Sequence, residues 1–221
     1  MISKRIGITV LAFILVLGWS HLMAQNKSMP EIRVLFDGVS LDGWDVANPA
    51  FRGLWYVKDS TIYGGDGKHK IPANTYLHTT EEYEDFEFRC LFRITGDPMT
   101  GMINSGIQYR SQIRDGRMIG YQADIGKGYW GDIYDEHRRG KLVDGDLSVL
   151  HRILNADGWN SYIIRCQGDL HETYINGVQV ARYVEEDPSI PRKGIIGMQN
   201  HSGGNSMVEF RDITITILSE E

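Results

Sequence analysis

The segment Phe86-Glu87-Phe88-Arg89-Cys90-Leu91-Phe92-Arg93-Ile94 constrains this chain more than any other. Phe86, Phe88, Cys90, Phe92 and Ile94 alternate with Glu87, Arg89, Leu91 and Arg93. Successive side chains of a strand point to opposite faces, so this pattern buries one face in a core. The same alternation runs through Ser161–Gln167. Further strand-like runs are Trp55–Lys58, Thr61–Tyr63, Ser105–Arg110, Tyr121–Ile125, Leu170–Ile175, Val178–Tyr183, Ile195–Gln199 and Met207–Leu218. Asn176-Gly177 between two such runs is a two-residue hairpin signal, because both turn positions favour positive φ. Lys58-Asp59-Ser60 marks a second tight turn. Only Thr80–Tyr83 and Leu147–Leu150 suit a short helical turn. Many short strands with little helix predict an all-β fold, an antiparallel β-sandwich.

The first 24 residues read as a signal peptide. Lys4 and Arg5 precede an apolar run, Ile6–Leu17, and Leu22-Met23-Ala24 offers a cleavage site. The apolar run is shorter than the ~20 residues of a membrane span. No cysteine follows it to carry a lipid. The expected mature protein is periplasmic or secreted, without a membrane anchor. Residues 25–34 form a lead-in and 35–218 a single domain. Loss of Lys4 and Arg5 takes the net charge from −6 to about −8. Nucleic-acid binding needs clustered Lys and Arg, so this balance argues against it. The one basic cluster, Arg138-Arg139 with Lys141, is interleaved with acids. An exported chain permits a Cys90–Cys166 disulfide, but the separation that decides it is not in the sequence.

A polar and aromatic stretch runs from Met118 to Leu142. Gln122, Asp124, Asp132, Asp135 and Glu136 stand there with His137 among glycines and the rings of Tyr129, Tyr134 and Trp130. Gln122 and Asp124 are two apart and share a strand face, with Tyr121, Ala123 and Ile125 opposite. Rings that stack on C–H faces, beside carboxylates and amides that bind hydroxyls, suit a sugar. A solvated strand edge is the plainer alternative. By the same parity Arg110 shares a polar face with Gln108 and Gly106, and His201 shares one with Gln199. Trp44, Trp55 and Trp159 read as core. His78, His151 and His171 read as structural or surface.

An ordered series of blocks carries a resemblance. Leu35-Phe36-Asp37-Gly38 leads to Asp42-Gly43-Trp44 and Trp55-Tyr56-Val57. Tyr76-Leu77-His78-Thr79, Tyr83-Glu84-Asp85-Phe86, Asn104-Ser105-Gly106-Ile107-Gln108-Tyr109-Arg110 and Gly120-Tyr121-Gln122 come next. Asp157-Gly158-Trp159-Asn160, Ile175-Asn176-Gly177, Gly194-Ile195-Ile196-Gly197-Met198-Gln199 and Phe210-Arg211-Asp212-Ile213 close it. Together they resemble the 3-keto-disaccharide hydrolase domain family, from about Leu35 to Leu218. The resemblance implies a jelly-roll sandwich of the concanavalin A-like lectin and glucanase type. It also implies cleavage of glycosides already oxidised to a ketone at C3, and therefore action downstream of a sugar-3-oxidising dehydrogenase. Many members carry Tyr-Glu-x-Gln-Ile where this chain has Tyr121-Gln122-Ala123-Asp124-Ile125. The acid has moved to the second face-sharing position, which directs attention to Asp124.

A C3 ketone acidifies the C2 proton, and the glycosidic oxygen can then leave C1 by elimination. That route needs a base near C2, a group to hold the enolate, and a proton for the leaving oxygen. Asp124, Glu136, His137 and His201 are the candidate acids and bases. Arg110 or a divalent metal ion is the candidate for the enolate. Gln108, Gln122, Tyr134, Trp130, Gln199 and Asn104 are the candidate substrate contacts, with Trp130 at the cleft rim. Asp124 with Glu136 would instead serve a conventional two-carboxylate glycosidase. A non-catalytic, lectin-like carbohydrate-binding module uses the same scaffold.

Overall fold

A computed structural model describes residues 31–219, so the signal segment and its cleavage site lie outside the described residues. In chain order the strands are β1 (Glu31–Val34), β2 (Trp44–Val46), β3 (Trp55–Lys58), β4 (Thr61–Gly64), β5 (Thr75–Tyr83), β6 (Phe86–Asp97), β7 (Asn104–Arg114) and β8 (Arg117–Gly126). They continue as β9 (Ile133–Glu136), β10 (Gly140–Val143), β11 (Asn160–Gln167), β12 (Leu170–Ile175), β13 (Val178–Val184), β14 (Gly194–Asn200) and β15 (Asn205–Ile217). One sheet has the order β13-β12-β11-β6-β15-β4-β3, with β1 added against the end of β15. The other has the order β10-β9-β8-β7-β14-β5-β2. The pairings in both are antiparallel, and the two sheets pack face to face as a jelly-roll sandwich.

Hydrophobic alternation builds the core. Phe86, Phe88, Cys90, Phe92 and Ile94 of β6 meet Ile107 and Tyr109 of β7 and Tyr121, Ala123 and Ile125 of β8 in one buried cluster. Each fully buried side chain of this size contributes roughly 1.5–3 kcal/mol. The two hairpins follow from local backbone preference. Asp59 and Ser60 have φ of 47° and 53°, and Asn176 and Gly177 have 49° and 80°. Leu147–Ile153 forms a short helix, α1, capped by the Asp146 carboxylate accepting from Ser148 N at 2.8 Å. Thr80–Tyr83 departs from the expected helical turn and completes β5. Trp44 and Trp55 are core, but Trp159 is not. Its ring lies beside the guanidinium carbons of Arg211 and Arg93, at 4.2 and 5.1 Å.

Cys90 and Cys166 are free and buried. On the adjacent strands β6 and β11, Cys90 stands opposite Tyr162 and Cys166 opposite Phe86. The thiols are thus four residues apart along the ladder, about 13 Å at strand rise, beyond disulfide reach.

Arg110 departs from the expected polar face, and a β-bulge is the reason. The β7–β8 register advances from Tyr109↔Tyr121 to Gln112↔Ile119, one extra residue on β7. Arg110 takes φ 46° at this point, a left-handed conformation costly for a residue with a Cβ. Gly120 and Gly194 flank the bulge, and a Cβ on either would lie 2.3–2.5 Å from Ser111 atoms. The side chain is turned away from the polar row. Its guanidinium donates to Glu84 O at 2.7 and 2.9 Å, to Gly168 O at 2.8 Å and to Asp85 Oδ1 at 3.0 Å. It therefore ties the β5–β6 and β11–β12 turns together. Arg110→Met strands these part-buried acceptors and is expected to lower unfolding stability by about 1–3 kcal/mol in urea titration. A variant of unchanged stability would refute the structural role.

Candidate functional site

The site occupies the face of the second sheet turned away from the core. Cross-strand partners share a face, so the register builds two polar rows. Tyr76, Gln199, Gly106 and Asp124 stand side by side on β5, β14, β7 and β8. The neighbouring row is His78, Gly197, Gln108, Gln122, Tyr134 and Lys141. The glycines make the rows into a hollow. A Cβ on Gly106 would stand 2.6 Å from Gln122 Cγ, and one on Gly197 would stand 2.5 Å from Met118 Sδ.

Buried amides link the rows. Gln108 Nε2 donates to Gln122 Oε1 at 3.2 Å, and Gln122 Nε2 donates to Asp124 Oδ1 at 2.6 Å. The same Gln122 nitrogen lies 3.4 Å from Gln199 Oε1, and Gln199 Nε2 lies 3.5 Å from the Tyr76 hydroxyl. Among the described residues Asp124 Oδ2 has no protein partner. Burial pushes the Asp124 carboxyl up to about 8; the Gln122 bond opposes the shift, and the negative charges of Asp132 and Glu136 add to it. Asp124 is therefore a neutral acid over most of the physiological range, able to donate a hydrogen bond.

A cavity of about 220 Å³ opens above these rows. Gln122, Asp124, Tyr134, Glu136, Gln199, Asn104 and His201 all line it, joined by Tyr129 and Met102. The Asn104 amide makes no side-chain hydrogen bond among the described residues and faces the cavity. His201 is half-buried, and its Nδ1 lies 2.8 Å from Ser202 O. A carbonyl accepts only, so Nδ1 carries the proton and Nε2 presents its lone pair. A second cavity of about 580 Å³ adjoins the first, and His201 lines both.

Three expected residues stand elsewhere. Arg110 is spent on the turns described above. Gln108 is fully buried beneath Gln122, supporting the row without reaching the cavity. Trp130 packs its ring 6.3 Å from Phe92 against the core, and Tyr129 takes the cavity wall. The loop between β8 and β9 turns one ring in and the other out. Buried acids fix that loop and the β9–β10 turn after it. Asp135 accepts from Arg138 and Arg139, each at 2.6 Å, and Asp132 accepts from Lys141 at 2.7 Å and Gly145 N at 2.8 Å. The basic cluster is thus a scaffold. His137 lines the second cavity with its Nε2 3.6 Å from Glu136 Oε1. His78 and His171 are buried, and His151 is exposed on α1. Sequence parity missed Met102 and Tyr76. Met102 sits in an irregular loop, and Tyr76 lies on a strand that the sequence reading left out.

No three His, Cys, Asp or Glu side chains come together as a cation site among the described residues. Asp124, Glu136 and His201 line one cavity.

A jelly-roll sandwich with a polar, aromatic-walled cleft on its open sheet face defines a carbohydrate-active β-sandwich protein. The chain belongs to the 3-keto-alpha-glucoside-1,2-lyase-like domain family, whose model matches residues 31–216. No curated protein matches it. A protein of Parabacteroides distasonis ATCC 8503 assigned as a glycosyl hydrolase shares the fold at TM-score 0.61 and 18% identity, over 85% of this chain and 94% of that one. The carbohydrate-binding module CBM66 of Bacillus subtilis aligns at TM-score 0.60 and 15% identity, over 79% and 95%. The exoplasmic domain of VIP36, bound to calcium and a mannose-containing glycan, aligns at TM-score 0.59 and 10% identity, over 88% and 92%. Among the described residues no helix is long and apolar enough to cross a membrane.

The raised Asp124 value has a consequence for stability. The folded state keeps this proton up to about pH 8, whereas the unfolded chain releases it near the ordinary value of 3.8. Between those limits the folded state binds more protons, so this group makes stability fall as pH rises. Asp124→Asn is expected to remove that decline and to unfold at higher temperature than the parent above pH 8. Each kcal/mol corresponds to about 2–4 °C in a domain of this size. Parallel melting curves for the two proteins from pH 4 to 9 would overturn the assignment.

Proposed function

We propose that this protein cleaves the glycosidic bond of 3-keto-glycosides by elimination across C1 and C2. The observation that carries the reading is His201, its Nε2 without a partner among the described residues, at the junction of two cavities and lining the first together with Asp124. His201 Nε2 takes the proton from C2, and the C2–H electron pair moves to give an enolate with its charge on the C3 oxygen. The Asp124 carboxyl and the Asn104 amide donate hydrogen bonds to that oxygen and lower the barrier. The carbonyl then re-forms, a C1–C2 double bond appears, and the C1–O bond breaks. The imidazolium returns its proton to the departing oxygen, so His201 ends as it began. Gln122, Gln199, Tyr134 and Glu136 hold the ring hydroxyls, and Tyr129 and Met102 bound its apolar face. The substrate must arrive from an oxidation at C3, the work of a sugar dehydrogenase.

The test is release of the leaving group from a 3-keto-glucoside and from its unoxidised parent. Only the ketone should react, because only its C2 proton is acidic. His201→Ala is expected to lose about 10²–10⁴-fold in kcat and Asp124→Ala about 10²–10³-fold, both with native circular dichroism. The parent's rate should also fall above about pH 8 as Asp124 ionises. Equal turnover of both sugars would replace this reading with a two-carboxylate glycosidase. Sugar binding without turnover would replace it with a lectin-like module.

A further inference from the structure

Both thiols are buried, so the sulfurs open to solvent among the described residues are thioethers. Met118 and Met198 are fully buried, whereas Met99 and Met102 are 90% and 43% exposed. Both exposed methionines stand in the connection between β6 and β7, but only Met102 lines the smaller cavity. The connection has no regular structure, yet its backbone is clasped. Thr100 Oγ1 donates to Asp97 O at 2.6 Å and accepts from Asn205 N at 2.8 Å. A Cβ on Gly101 would lie 2.3 Å from Gly203 O, and one on Gly204 would lie 2.3 Å from Met102 O. His201 N closes the clasp by donating to Asn104 O at 3.2 Å. Met102 is thus held at the cavity wall against the loop that carries His201.

The cavity holds groups that an altered sulfur could bind. Asp124 and Asn104 are 3% and 4% exposed and line it beside Met102. Asp124 Oδ2 and the Asn104 amide have no side-chain partner among the described residues. A thioether is a weak acceptor and leaves both groups to a ligand. A sulfoxide is polar, and its oxygen accepts hydrogen bonds. Methionine is unbranched with three rotatable bonds, so its head can swing across a small cavity.

We propose that Met102 is a modification site: a peroxide converts its thioether to the sulfoxide, whose oxygen accepts from Asp124 and Asn104 and closes the cleft to sugar. The sulfur lone pair takes one oxygen of hydrogen peroxide, the O–O bond breaks, and a proton shift releases the other oxygen as water. Sulfur is oxidised by two electrons and the peroxide is reduced by two. Stereospecific reductases reverse the change, so the closure can be undone. The inference rests on the reading of this cavity as the sugar site and uses the elimination only as a readout. Met99, in the same loop and more exposed, is the bystander against which Met102 is judged.

The experiment treats the protein with hydrogen peroxide at pH 6, where Asp124 keeps its proton, and maps the sulfoxides by peptide mass spectrometry. Met99 and Met102 are expected to oxidise before Met118 and Met198. For each protein kcat/KM toward a 3-keto-glucoside is divided by its own untreated value. This ratio is expected to fall about 10–100-fold in the parent and in Met99→Leu. It should stay near one in Met102→Leu and recover in the parent with the two sulfoxide reductases. Resistance of Met102 to peroxide, or an equal loss in Met102→Leu, overturns the inference while leaving the elimination reading intact. If the untreated protein turns over no ketone, the elimination reading has failed, and calorimetric affinities for methyl glucoside supply the same ratio. If no sugar binds either, melting at pH 6 decides the contact. A rise on oxidation that is absent in Met102→Leu and in Asp124→Ala supports it, and no rise overturns it.

Discussion

The hydrogen bond from Gln122 to Asp124 anchors the open face of the second sheet. A carboxyl buried there is costly if charged and unpaired. Burial keeps the acid neutral, while donation from a buried amide, itself held by Gln108 and facing Gln199, opposes that shift and fixes the acid's orientation. Gly106 has to be a glycine for this, because any Cβ would occupy the space of the Gln122 side chain. The acid, the amides and the hollow above them are one packing solution. The opposite faces of the same strands send Tyr121, Ala123 and Ile125 into the core, so the site inherits the rigidity of the sandwich.

The bulge at Arg110 divides the sheet into two functional halves. Before it, β7 alternates between cleft and core. At it, the strand gains a residue and spends a guanidinium on two distant turns. The adjoining strands are irregular at the same level, with register shifts between Ile195 and Gly197 on β14. A small apolar cluster, Ala47, Tyr76, Met118 and Ile195, borders the cleft on the same face, reaching from Tyr76 in the polar row to Met118 and Ile195 at and beyond the bulge.

Most of the fold was legible in sequence because alternation and hairpin turns are local. The run Leu170–Ile175 matches β12, and Asn176-Gly177 is the turn that its dipeptide demands. Strands β1, β2, β5, β9 and β10 were not legible: β1, β2, β9 and β10 are three or four residues long without a hairpin dipeptide to mark them, and β5 buries five successive residues, Thr75 to Thr79, so it shows no alternation. The gathering of Gln122, Asp124, Gln199 and His201 around one cavity follows from face-sharing over uninterrupted strands. Arg110 shows the limit of that logic, since parity holds only up to the first bulge and nothing in the local residues announces one. Tyr129 and Trp130 show another limit. In a loop, adjacent rings have no pleat to sort them, and contact with Phe92 decides which one turns inward.

The two thiols sit in the core, and burial pushes Cys166 up to about 12 and Cys90 higher still. Thiolate is the reactive form, so neither sulfur meets a reagent until the sandwich opens. Alkylation then becomes a clock for opening, with Cys90 and Cys166 as two hands on adjacent strands. A sugar that binds only the closed form slows that clock in proportion to its occupancy. The chain thereby carries its own gauge of ligand affinity, one that needs no turnover, no fluorophore and no knowledge of the leaving group.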